Sequence, residues 1–555
     1  MAPQPEPIDP VETIAPTAAK LDRDPVVPTL ADPLPEEVEV DHESYIDNFD
    51  AYDFESTAES APDLQPQQAQ VMSEREAREE DLFSSAGVEG PSEVETLEER
   101  MDETLTLKQD TLAIGGMMFL RFEYASITGV DSSEQPLTSP NLVDVYLDAR
   151  PTQRLRAYAR GRVRNDFIRQ DDGDAALPTV RTAGTGTLDP SSEATSVQLD
   201  QLWLKFDIDR TVYITVGRQP LRWGTGRFWN PTDFLNRQFR DPLAVFDERL
   251  GIGLVKAHLP LEGLGWNLYA IGEFEQAANS GGVGGALRGE FLAGPAELSV
   301  TAAYRRDEPF QLGADLSAGL GPFELRAEAA FSYDDAGPFL ALAGPGQNDL
   351  IAPTFRNVAG LLEVGLPPSF RAAQLDRTRE WISRATLGAE LEMSYNDQDS
   401  AFLGVEYFFN GAGVRNAQLL PALVILDAYE PLYAGRNYVA GYLALPSPGS
   451  WNRSNLSFST VANLSDQSLL SRFDFSTELF SFATFNMYAS MNYGQVGELR
   501  FQYELDGVSD SVSVSDPMFL ADLPPSEATF ASVLLNGVSI NAPRFNVGFG
   551  FRVDL

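Results

Sequence analysis

The sequence predicts an all-β fold, a transmembrane antiparallel β-barrel of about 18 strands with 16 to 20 as the bounds. Three observations predict it. From Phe545 to Leu555 the chain alternates without a fault: Phe545, Val547, Phe549, Phe551, Val553 and Leu555 point one way, Asn546, Gly548, Gly550, Arg552 and Asp554 the other. A strand has a side-chain period of two, so one face meets something apolar and the other something wet. The same pattern recurs from Thr111 to the end in segments of about ten residues between turn residues, and almost no helical period competes with it. Finally, mean hydropathy is only -0.19, and no apolar run approaches the roughly 18 residues a helix needs to cross lipid. A helical membrane protein is excluded.

The front of the chain is different. Residues 1–110 hold 30 acidic side chains against 6 basic ones, which leaves 52 and 34 for the rest and concentrates the net charge of -42 at the front. Residues 1–66 are rich in Pro, Glu, Asp and Ala and cannot bury enough apolar surface to offset ordering, so they read as a disordered acidic tail. Residues 67–110 read as a linker with one short amphipathic helix, because Val94, Leu97, Met101 and Leu105 fall at helical spacing behind Pro91 and Ser92. Two roles fit that helix: packing under or inside the barrel, or docking a periplasmic partner. Met1 to Pro10 has neither a basic nor an apolar stretch, so the chain reads as a form already processed for export.

Residues 111–555 read as the barrel. Leu112, Ile114, Met118, Leu120, Phe122 and Tyr124 share one face, as do Val143, Val145 and Leu147, and Leu202, Leu204, Phe206 and Ile208. Equally regular rows run from Phe323 to Tyr333, Ala385 to Tyr395 and Ala401 to Phe409, and the longer ones close with an aromatic ring suited to a lipid–water interface. Short connections near 150–152, 209–211, 260–264, 293–295, 320–322 and 396–399 alternate with long ones at 125–140, 168–195, 219–249, 334–383 and 411–436. Outer-membrane barrels have short periplasmic turns and long outer loops, which places both termini in the periplasm. Residues 494–540 leave the strand count open. A soluble sandwich would bury its apolar face under a second layer and a solenoid would repeat, and no repeat is present.

The third strand carries the sharpest local feature. Arg154, Arg156, Arg160, Arg162 and Arg164 share parity with Tyr158, while Leu155, Ala157, Ala159, Gly161 and Val163 face the other way. A charge on the lipid face costs roughly 2 to 4 kcal/mol at the midplane, so five arginines there must line the lumen. Asp144 and Asp148 on the preceding strand and Lys205 and Asp207 on the following one share that inner face. The row fits an anion path from one guanidinium to the next, and equally a cross-strand ion-pair lattice.

The run Gly217-Arg218-Gln219-Pro220-Leu221-Arg222-Trp223-Gly224-Thr225-Gly226-Arg227-Phe228-Trp229-Asn230-Pro231-Thr232-Asp233 opens the third outer loop, which continues to Arg249. In this loop and the arginine row the chain resembles Gram-negative porins, whose third outer loop folds inward and narrows the pore opposite a wall of arginines. The Arg-Gln, Trp-Gly and Asn-Pro-x-Asp pattern looks like one in large barrels near the alginate-export and porin-like groups. The resemblance implies that Arg218, Arg222, Trp223, Arg227, Trp229, Asn230 and Asp233 belong to a constriction loop. Packing of the same loop at the rim is the other reading. The chain departs from general porins in lacking a plainly acidic inward loop and in ending on Leu555.

Enzymatic chemistry has little material here. There is no cysteine, and the only histidines are His42 and His258, so no catalytic residue, metal ligand or cofactor is assigned. Gln170-Asp171-Asp172-Gly173-Asp174 lacks a full calcium-loop spacing, and the negative charge disfavours nucleic acid. The expected function is a porin-like channel of the bacterial outer membrane for small hydrophilic or anionic solutes, embedded in lipid. The alternatives are a barrel that exports a polysaccharide or other polymer with periplasmic partners through the tail or helix, and a structural envelope anchor.

Overall fold

A computed structural model describes residues 111–168, 194–275, 282–342, 372–396, 399–426, 428–506 and 537–555. The acidic tail, the linker helix and the Gln170–Asp174 segment lie outside the described residues.

Eighteen strands form one closed ladder. They are β1 Leu112–Ile127, β2 Pro140–Thr152, β3 Leu155–Asp166, β4 Thr195–Ile208, β5 Val212–Gln219, β6 Ile252–Leu261, β7 Trp266–Glu273, β8 Gly284–Ala293 and β9 Ala296–Tyr304. The second half comprises β10 Phe310–Leu320, β11 Phe323–Tyr333, β12 Trp381–Ser394, β13 Ser400–Asn410, β14 Asn437–Pro446, β15 Ser454–Asn463, β16 Ser468–Phe480, β17 Ala483–Gly494 and β18 Pro543–Asp554. Each strand pairs antiparallel with its neighbours in sequence, and β18 pairs with both β17 and β1, which closes the ring. Closure satisfies every edge, as an apolar solvent demands. Among the described residues, the uncertain stretch after β17 adds no wall strand. It carries a separate hairpin, Gln502–Asp506 with Gly537–Asn541.

The apolar rows face outward as expected: Ile114, Val145, Val197 and Leu387 are each more than half exposed on the isolated chain. Exposed apolar side chains over the whole outer wall are what lipid, not water, would cover. Aromatic girdles bound this band. Phe310, Tyr333 and Trp381 lie in mutual ring contact toward the long-loop end, and Trp266 meets Phe291 edge-on at the short-turn end. The barrel is thus a transmembrane one, with Leu112 and Asp554 both at the short-turn end.

One wall departs from strict alternation. Between β3 and β4 the register jumps from Arg160 opposite Gln201 to Gly161 opposite Leu199, leaving Asp200 as a bulge. Asp200 and Gln201 are both buried on the inner side, whereas Leu199 and Leu202 on either side are both outward and exposed. The extra residue resets the parity and delivers an additional carboxylate to the lumen.

Candidate constriction loop and arginine wall

The arginine row is an ion-pair lattice over most of its length. Arg154 meets Asp207 at 2.7 Å, Arg156 meets Asp148 at 2.9 Å, and Arg160 meets the bulged Asp200 at 2.6 Å. Arg162 forks onto Asp144 at 2.8 Å and lies 3.3 Å from Asp200. Lys205 lies over the Tyr213 ring. Exposure divides the row: Arg154 keeps a half-exposed side chain, Arg156 and Arg160 are partly covered, and Arg162 is 1 % exposed. Arg162 therefore sits on the inner face of β3 but beneath a cover. Its Nη1 donates to the Glu248 carbonyl at 2.9 Å, so the return leg of the third loop covers it.

That loop, residues 220–251, runs inside the barrel. Its first leg packs Trp223 and Leu235 on an apolar inner patch made by Ile252, Leu254, Ile271, Ala286 and Ala303 of β6 to β9. The tip reaches β11 to β14. There the Glu328 carboxylate on β11 accepts from the Thr225 and Gly226 backbone N–H groups at 2.7 and 2.6 Å, and from the Thr232 hydroxyl at 2.8 Å. Asn230 Nδ2 and the Thr232 N–H complete the set, each at 3.2 Å. Glu406 on β13 likewise accepts from the successive N–H groups of Arg227, Phe228 and Trp229 at 2.7, 3.0 and 2.9 Å. Two wall carboxylates are thus wrapped by loop backbone, an arrangement in which consecutive N–H groups form an anion-binding nest. The glycines make it sterically feasible. Gly224 takes φ +93°, and a Cβ on Gly226 would fall 2.0 Å from the Trp229 carbonyl oxygen.

Trp229 anchors the tip. It is fully buried, stacks on Phe408 at 5.3 Å, and donates from Nε1 to the Leu432 carbonyl at 3.0 Å. The loop then returns to β1, where Phe246 meets Phe119 at 5.9 Å and Glu248 pairs with Arg121 at 2.7 Å. The loop thus contacts inner faces from β6 to β14 and back to β1.

The other residues expected in the constriction separate by position. Asn230 braces the turn by donating to the Gly226 carbonyl at 2.8 Å, and Asp233 pairs with Arg249 at 3.0 Å. Arg227 lies 3.9 Å over the Tyr442 ring and 3.7 Å from Glu390. Arg222 is exposed, and among the described residues no carboxylate pairs with it. Burial, then the neighbouring Arg222, depress the Arg240 guanidinium to about 10. Arg218 does not join the loop. It is a strand residue of β5 on the outward parity of Ile214 and Val216, ion-paired with Glu275. His258 stacks on Tyr269 at 4.5 Å with Nε2 2.9 Å from Asn267 Oδ1, an inward ring packed in the wall.

Sequence reading missed four acids on which the site depends: Asp200, Glu248, Glu328 and Glu406. Asp200 had a signal, because the outward row Val197, Leu199, Leu202, Leu204 slips parity by one at that point. Ile252 and Leu254 had another: apolar side chains on both parities of one strand mark an inner wall that something covers.

Fold and site together define a closed 18-stranded membrane barrel whose third long loop is folded into the lumen and stapled to wall carboxylates. No family model matches the chain, and no curated protein sequence matches it. Solved structures similar to it include Pseudomonas aeruginosa OpdK, an outer membrane protein, at 8 % identity over 80 % of this chain and 99 % of that one, with a TM-score of 0.42. Acinetobacter baumannii OccAB1 is similar at 9 % identity over 80 % and 97 %, with a TM-score of 0.41. A triple mutant of the Rhodopseudomonas blastica porin is similar at 10 % identity over 80 % and 100 %, with a TM-score of 0.36.

Proposed function

We propose that the protein is a porin-like channel of the bacterial outer membrane, with both termini periplasmic, passing small hydrophilic or anionic solutes. The observation that carries this reading is the inward loop. A barrel serving only as an anchor has no need of a loop held across its interior by eight hydrogen bonds to Glu328 and Glu406. Alternation of short and long connections supports the orientation. On this reading the solute path runs past the more accessible Arg154, Arg156 and Arg160 and the exposed Arg222, with Arg227, Trp229 and their neighbours as the constriction. The acidic tail would reach a periplasmic partner.

Planar-bilayer recording on the refolded chain tests it. Discrete conductance steps with anion preference are expected, and deletion within Leu221 to Asp247 should enlarge them. A barrel that shifts mobility between unheated and boiled samples yet gives no steps would point to polymer export or to an anchor instead.

A further inference from the structure

A second basic feature lies among the long-loop segments that flank β12 to β14. The loop residues Phe339, Leu340, Leu342, Leu375 and Leu419, with Gly411 to Gly413, line a pocket of about 530 Å³ together with Arg377, Arg415 and Arg436, and among the described residues no acidic one lines it. A local backbone device sets the arginines side by side. Val414 and Gly435 form a parallel bridge, and a Cβ on Gly413 would fall 1.9 Å from the Gly435 carbonyl oxygen, so the two chain segments touch. The next residue on each is Arg415 and Arg436. Only Arg377 has a carboxylate partner, Glu380 at 2.9 Å. Among the described residues none pairs with Arg415 or Arg436. Burial, then the charges of Arg415 and Arg377, hold the Arg436 guanidinium below its usual range. Adjacent unpaired cations cost free energy unless an anion shares them.

Position identifies the anion. Arg436 lies 5.3 Å over the ring of Phe409, which has the outward parity of Val405 and Tyr407. Arg377 sits four residues before Trp381, a member of the aromatic girdle at the long-loop end. Such girdles mark the level where acyl chains give way to headgroups. Arg436 therefore lies at headgroup height against an outward ring of the wall, and the pocket sets apolar side chains beside a cluster of guanidinium forks that suit phosphate.

We propose that this pocket binds the phosphate-bearing headgroup of a glycolipid in the outer leaflet. The assignment rests on the outer-membrane orientation proposed above, in which the long-loop end faces outward, but not on solute conduction. The test uses the full chain in phosphatidylcholine nanodiscs, probed with a bis-phosphorylated diglucosamine lipid, its dephosphorylated form, and inorganic phosphate. Expected results are retention of the phosphorylated lipid over the dephosphorylated one, and a loss of about tenfold or more in the R415Q/R436Q double variant, with recovery in R415K/R436K. Conductance should not change. Equal retention of both lipids, or undiminished retention by the double variant, would overturn the proposal. So would inorganic phosphate binding as tightly as the glycolipid, which would make the pocket a free-anion site. Should the double variant not fold, R415Q alone gives the same readout, since Arg415 is exposed. Lipid retained by a barrel that does not conduct would sink the channel reading and leave this one standing, and the converse result would do the reverse.

Discussion

Trp229 stacks on Phe408 with ring centroids 5.3 Å apart and planes 15° apart, so the tip of a loop rooted on β5 and β6 rests on the opposite wall at β13. Phe228, Leu432, Tyr433, Tyr438 and Tyr442 complete a buried cluster around the indole. This is a core inside a barrel, and it fixes the loop as a strut across the lumen.

Trp229→Ala should free the tip without unfolding the wall. Removing a buried aromatic from a packed cluster costs about 3 to 5 kcal/mol, and none of that cluster's contact with Trp229 is part of the strand ladder. The expected result is an unchanged gel-mobility shift on boiling, with larger and noisier conductance steps. Loss of the folded band would show that the wall depends on the loop.

Glu328→Ala tests the staple. Five donors converge on that carboxylate from the loop, and each buried donor left unpaired costs about 1 to 3 kcal/mol. The loop should become cleavable by protease between Arg222 and Arg240, where the wild type resists. E328Q should be intermediate, because its amide oxygen can serve only part of the donor set. Resistance equal to wild type in both variants would remove Glu328 from the account.

The wall was legible and the strut was only half so. Strict period two in rows such as Phe323 to Tyr333 reads directly as a two-sided strand, because lipid and water sit on opposite faces and leave no ambiguity of parity. The strand number followed from counting alternating segments, about 19, and from the even strand number of single-chain barrels. The loop's motif residues were found by their unusual density of Arg, Trp, Gly and Asn, but their partners lie about 100 to 180 residues away. Glu328 and Glu406 look like any lumenal carboxylate in a strand. Nothing local says which of them a loop will wrap. The cover over Arg162 is equally non-local, since it is the distant Glu248 backbone.

Arginines of one row should therefore respond differently to substitution. Arg162→Ala removes the guanidinium fork from Asp144, 4 % exposed, and leaves Asp200, 0 % exposed, to Arg160 alone, at a cost of about 3 to 5 kcal/mol for breaking a buried pair. A clear fall in the gel-shift midpoint temperature is expected. Arg154→Glu and Arg156→Glu act on more accessible side chains and should leave that midpoint nearly unchanged while moving the reversal potential toward cation preference. Equal destabilisation by all three would mean that the row is one cooperative lattice.

The last prediction concerns pH. Glu498, in the segment that follows β17, is fully buried among Ala434, Gly435, Tyr438 and Asn463, and accepts from Asn463 Nδ2 at 2.7 Å and from the Gly435 N–H at 3.3 Å. Burial, then the nearby Asp466 charge, push its carboxyl up to about 8 from an ordinary value of 4.5. A carboxyl raised on folding binds its proton more tightly in the folded state, so the stabilisation is complete below the unfolded value near 4.5 and is lost as pH rises through about 8. The wild-type gel-shift midpoint should accordingly decline between about pH 4.5 and about pH 8, the interval those two values bracket. Glu498→Gln keeps the neutral shape of the protonated acid and has no proton to lose, so its profile should be flatter than the wild type and cross above it at the alkaline end. Parallel profiles would assign the pH dependence to other groups and leave Glu498 as an ordinary hydrogen-bonded carboxylate.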